Sequence, residues 1–184
     1  MSAKIQPMDI YSRASKLYHS AKPENREEAI DLLLQNALQH PDDGKAWFEL
    51  AGCFDFLGRE AEALENYMKV AKIGVHSLPE EDRPRLYLQW GSTLRNLGRL
   101  EESRAVLFDG AQKFPEMRAL KAFLALTQYS LGAYKEAAQA LFILLHSKYP
   151  DDSSMQHFAR AFDWYIDHLD APSNSDQSSQ SELD

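Results

Sequence analysis

The sequence predicts an all-α fold, a superhelical solenoid of antiparallel helix hairpins with about four repeats and a C-terminal capping helix. Three observations predict it. Between Gly44 and Ala71, two apolar sets recur at helical period on either side of Gly58. They are Trp47, Leu50, Ala51, Phe54 and then Ala61, Leu64, Tyr67, Val70, which read as a helix, a tight turn and a returning helix. The dipeptides Leu57-Gly58, Leu97-Gly98 and Leu131-Gly132 repeat that turn at spacings of 40 and 34 residues. Small residues hold one phase: Ala51, Gly91 and Ala125 on first helices, Ala63, Ser103 and Ala137 on second ones, where the two helices of a hairpin must cross closely. Such short helices cannot bury an apolar face alone, so the hairpins must stack.

In chain order, residues 1–7 form a lead-in ending at Pro7, and the helical repeat domain is expected over 8–169. The first hairpin, residues 8–41, sets Tyr11, Ala14, Leu17 and Tyr18 on one helix, and Pro23-Glu24-Asn25 turns the chain. It returns over Glu27 to Gln39 through Ala29, Leu32, Leu33 and Leu38. This hairpin lacks the Trp and Gly signals, as an end repeat with one missing neighbour can. The second hairpin spans 44–75. Six extra residues then lie in KIGVHSLPEEDRP, where Ser77, Pro79 and the acids read as a helix start. Pro84 would fall too far inside such a helix, so either an extra turn kinked at Pro84 or a short separate turn is expected. Hairpins three and four span 79–115 and 118–150. From Asp152 to Leu169, Met155, Phe158, Ala159 and Phe162 repeat the phase of Trp47, Leu50, Ala51 and Phe54, which makes a cap for the apolar end of the stack. Residues 170–184, DAPSNSDQSSQSELD, contain one apolar side chain larger than Ala and read as a disordered, acidic and Ser-rich tail.

These residues resemble the tetratricopeptide repeat family, whose pattern is W-x2-L-G-x2-Y, then A-x3-F, then P. Here it appears as Trp47, Leu50, Ala51, Phe54, Ala63 and Tyr67. It returns as Tyr87, Trp90, Gly91, Leu94, Gly98, Ser103, Leu107 and Pro115, and again as Leu124, Ala125, Gly132, Ala137, Leu141 and Pro150. The resemblance implies a right-handed superhelix whose concave groove binds a protein or peptide. One subclass of the family clamps chaperone C-terminal carboxylates with Lys, Asn and Arg. The corresponding positions here carry Ala14, Tyr18, Glu49, Arg85 and Gln89, so that clamp is absent. The chain looks like the small stand-alone bacterial members of the family, some of which are thought to dimerise.

Composition narrows the function further. The net charge is -8, and four of the 28 acids fall in the tail, leaving 24 against 20 bases in the body. No cluster of Lys and Arg fits a nucleic-acid backbone. No window approaches the length of a membrane span, and the N-terminus lacks a signal-peptide run, so a cytoplasmic protein is expected. Cys53 is the single cysteine and stands where later repeats carry Thr93 and Thr127, which marks a small packing residue. The six histidines are scattered, and His157, Asp163 and Asp167 are not spaced for one helix face. With no nucleophile, acid–base or phosphate-loop motif present, the reading is a non-enzyme with no cofactor, metal or catalytic residue.

Function is then expected on two surfaces. Exposed positions of the first helices, traced at helical spacing, run Lys45, Glu49, Gly52, Phe56, with Phe48 and Asp55 beside them. The line continues as Arg85, Gln89, Ser92, Asn96, with Leu88 and Arg95, and as Phe123, Leu126 and Ser130, with Tyr129. The groove grades from mixed charge to apolar, and Arg85 with Arg95 favours an acidic group on the bound segment. The apolar end either binds a partner or is covered by the cap. The second surface lies on the last returning helix, where Phe142 and Ile143 are surplus to hairpin packing. They form a candidate homodimer face, which makes a structural homodimer the alternative to a binding scaffold.

Overall fold

The computed structural model describes residues 9–148 and scattered positions between 153 and 169. The expected lead-in, the tail, and Met155, Phe158 and Phe162 of the expected cap lie outside the described residues. Over the described residues run α1 (Ile10–Tyr18), α2 (Pro23–Gln39), α3 (Gly44–Phe56), α4 (Glu60–Ile73), α5 (Arg83–Asn96), α6 (Leu100–Lys113), α7 (Arg118–Ser130) and α8 (Tyr134–Lys148). They pack as four successive antiparallel pairs, α1/α2, α3/α4, α5/α6 and α7/α8. The first helix of each pair also touches the first helix of the next, so α1, α3, α5 and α7 line up side by side. Ser153, Gln156, Ala159 and Trp164 are helical, and Gln139 of α8 donates to the Ile166 carbonyl at 2.8 Å.

The three Leu-Gly turns share one hydrogen-bond pattern. Gly58 N–H donates to Asp55 O at 3.1 Å and Arg59 N–H to Phe54 O at 2.9 Å. The same two bonds recur at Gly98/Arg99 and Gly132/Ala133. This closure satisfies the last carbonyls of the first helix and needs a left-handed residue, which glycine supplies at φ 71°, 74° and 83°.

Other expectations are corrected. Pro23 does not turn the chain; it opens α2, where its missing N–H is harmless, and His19 to Lys22 make the turn. Ala61 and Leu38, placed on buried faces, are exposed, because the apolar stripe is narrower than periodicity alone implies. Of the two forms expected for the insertion, the short separate turn is the one found, as two 3₁₀ turns, Val75–Ser77 and Glu80–Asp82, before α5 begins at Arg83. Pro84 therefore sits in the first turn of α5 and kinks nothing.

The core runs along the stack rather than around a centre. One cluster unites α1 to α4 with Leu78 and Leu86; a second gathers Tyr87, Leu107, Ala111 and Leu120. The small residues sit at the crossings: Ala51, Ala63, Ala125 and Ala137 are buried, and Ser103 Oγ donates to Gly91 O at 2.7 Å. Cys53 is also buried, and desolvation pushes its thiol up to about 11. A thiolate is the reactive form. Cys53 should therefore resist a disulfide reagent at pH 8 in the folded protein and react promptly in urea. Rapid labelling of the native chain would contradict its burial.

Candidate partner-binding groove

The groove residues come from α1, α3, α5 and α7. Between the first three helices lies a cleft of about 380 Å³, lined by Tyr18 and His19, by Glu49, Gly52, Asp55 and Phe56, and by Arg85, Gln89 and Asn96. Phe48 reaches the same cleft but is only 2 % exposed. It is a wall of the core, packed on Tyr67 at 6.2 Å between ring centroids. Leu88 and Phe123, also expected on the open face, are half-buried against the second core cluster. Phe56, Leu126 and Tyr129 do face outward, at 52 %, 43 % and 63 % exposure. Ser92 is half-buried and Asn96 exposed.

The charges in the cleft are arranged in a way the sequence did not show. Asp82, from the inserted turns, is 2 % exposed and accepts from Lys45 Nζ at 2.8 Å and Arg85 Nη1 at 2.7 Å. Lys45 also meets Glu49 at 3.3 Å. Burial opposes the Lys45 charge, but the Asp82 hydrogen bond and the Glu49 charge outweigh it and hold its pKa above the ordinary lysine value. Two acids and two bases thus neutralise each other, and the insertion is pinned to α3 and α5 by the same network. Arg95 is engaged as well, donating through Nη2 to Ser130 Oγ of α7 at 3.3 Å. The two guanidinium groups are therefore not a free pair awaiting a carboxylate.

Asp55 has a different environment. Its Oδ1 lies 3.0 Å from Thr93 Oγ1, and among the described residues it has no cationic partner. Burial is the largest influence on it and raises its pKa above the usual carboxylate value; the Thr93 hydrogen bond pulls the other way. Next to it stands an aromatic group from two helices. Phe56 lies 5.2 Å from Tyr18 and 4.3 Å from His19, centroid to centroid. His19 Nδ1 donates to the Ser15 carbonyl at 2.7 Å, which leaves Nε2 as the acceptor of the neutral ring. His19 was not among the expected groove residues, and Tyr18 was placed there only by comparison with the carboxylate clamp, because α1 carries neither the Trp nor the Gly signal of the later repeats.

At the other end of the described stack the surface turns apolar. Ala125, Leu126 and Tyr129 of α7 and Tyr134, Ala137, Ala138 and Leu141 of α8 line an open hollow of about 680 Å³. The Tyr129 and Tyr134 rings meet edge to face at 5.1 Å. On α8, Phe142 and Ile143 are exposed, as are Leu141 and Leu145. No group of three His, Cys, Asp or Glu side chains among the described residues could hold a metal ion. Nor is any helix among them long and apolar enough to cross a membrane.

A family model described as the tetratrico peptide repeat matches residues 44–167, well over half of the chain. No curated protein matches the sequence.

Proposed function

The chain belongs to the tetratricopeptide repeat family, and from that premise we propose that it is a non-enzymatic scaffold that holds a peptide or protein segment in its concave groove. The observation that carries this reading is the continuity of that face. The polar cleft on α1, α3 and α5 and the apolar residues Leu126 and Tyr129 on α7 lie on helices packed side by side, with α5 joined to α7 by the Arg95–Ser130 hydrogen bond. A groove polar at one end and apolar at the other fixes the direction of a bound segment.

Peptide selection tests it. Random peptides displayed on phage are selected on the immobilised protein, and the enriched sequences are rebound to Ser92→Arg/Asn96→Arg, which fills the middle of the groove without touching the Asp82 network. Enriched peptides should lose affinity by about tenfold or more, as expected when a central contact is blocked. Equal binding to the double variant would place the ligand elsewhere.

A second reading, the homodimer, is favoured by the adjoining exposed side chains Leu141, Phe142, Ile143 and Leu145 on α8. Sedimentation should then give a dimer for the wild type and a folded monomer for Phe142→Lys/Ile143→Lys. A wild type that stays monomeric at high concentration disposes of this reading.

A further inference from the structure

Seven of the eight glycines have a local reason to be glycine. Gly58, Gly74, Gly98 and Gly132 have positive φ, and a Cβ on Gly44, Gly91 or Gly110 would run into Ser77, Leu107 or Tyr87. Gly52 has neither reason. It lies inside α3, and a Cβ built on it meets nothing within 4 Å. A mid-helix glycine is less favourable than alanine by about 1 kcal/mol. The chain tolerates that loss at the floor of the cleft, between Glu49, Asp55 and Phe56, where any side chain would project into the open space.

We propose that this space receives an arginine side chain of the bound segment. Gly52 leaves room for the guanidinium, Phe56 and Tyr18 offer ring faces, and Asp55 supplies the compensating charge. The inference rests on the groove reading above and names one contact within it. Charge selects the cation: Lys45, Glu49, Asp82 and Arg85 already neutralise one another, so Asp55 is the carboxylate left over. An acidic side chain would meet Asp55 with nothing to balance it, and an aliphatic one would leave its half-buried charge without a counter-charge. Arginine fits better than lysine because its planar guanidinium is weakly hydrated, stacks on aromatic rings and can bond a carboxylate through two N–H groups. The His19 ring, held by its Nδ1 bond to Ser15, borders the same cleft beside Phe56.

The test uses the full chain, labelled with ¹⁵N, and acetylated, amidated glycine–serine peptides with one central residue: arginine, norleucine or glutamate. The arginine peptide should shift the amides of His19, Gly52, Asp55 and Phe56, while the other two leave them in place. Gly52→Ala should weaken arginine binding by about tenfold, in line with a lost charge-assisted and cation–π contact. The same variant should raise Tm by about 2–4 °C, because alanine favours the helix. Asp55→Asn keeps the Thr93 contact and should abolish the preference for arginine over norleucine. Equal shifts from arginine and norleucine, or unchanged arginine binding in both variants, overturn the inference. So does the absence of any arginine-induced shift. If phage-selected peptides still depend on Ser92 and Asn96 in that event, the groove reading survives without the arginine; if they do not, both fall.

Discussion

Tyr67→Ala should destabilise the protein by about 3–5 kcal/mol, the range seen when a large buried ring is removed. Tyr67 is completely buried in α4 and packs on Phe48 of α3. Its hydroxyl donates to Gln89 Oε1 of α5 at 3.3 Å, so one side chain ties the second hairpin to the third. Burial, the largest influence, pushes its phenol far above the ordinary tyrosine range, and the nearby Asp55 carboxylate adds to the shift. Loss of the ring leaves a cavity at the joint between two repeats. In a stack held by nearest-neighbour contacts, a weakened joint lowers cooperativity as well as stability. Thermal melting should show Tm lower by on the order of 10 °C, and a broader transition. A shift below about 2 °C would mean that the two hairpins do not depend on this contact.

Gly91→Ala should destabilise the fold by about 1–3 kcal/mol through overpacking. The added methyl would lie 2.7 Å from Leu107 Cδ2 and closer still to its Cγ. Leu107 is fully buried and cannot swing away. Since alanine favours a helix over glycine, intrinsic propensity alone predicts the opposite sign. Gly91 and Gly52 thus make a matched pair on the first helices: the same substitution should lower Tm at one and raise it at the other. Urea titration of both variants settles the signs. A stabilised Gly91→Ala would show that α5 and α6 cross elsewhere.

The architecture was legible because its determinants are local or recur at fixed spacing. A glycine after leucine closes α3, α5 and α7, and a small residue marks each of their crossings, so those hairpins stand out in the sequence. Pro23 was misread because the same residue suits a turn and the first turn of a helix, and only the neighbouring chain decides between them. The site was less legible. Positions on the first helices were traced by helical spacing, which does not say how far a side chain sinks between neighbours. Phe48, Leu88 and Phe123 were therefore expected further out than they lie.

 Phe123 shows why: it stands at the spacing traced for the open line, yet it leans on the second core cluster. The charge pattern was hidden altogether. Lys45 meets Asp82 across 37 positions, and Asp55 meets Thr93 across 38. Those pairings depend on how the insertion folds, and no local pattern reports it. Arg85 therefore read as a free cation when it is paired with the buried Asp82.

The most direct measurement is an amide chemical-shift map of the protein with the best phage-selected peptide. The account predicts shifts confined to the first helices, at Glu49, Gly52, Gln89, Ser92, Leu126 and their neighbours. Met68 of α4 and Phe108 of α6, exposed on the second helices, should not move. Shifts centred on α4, α6 or α8, with the first helices silent, would contradict it.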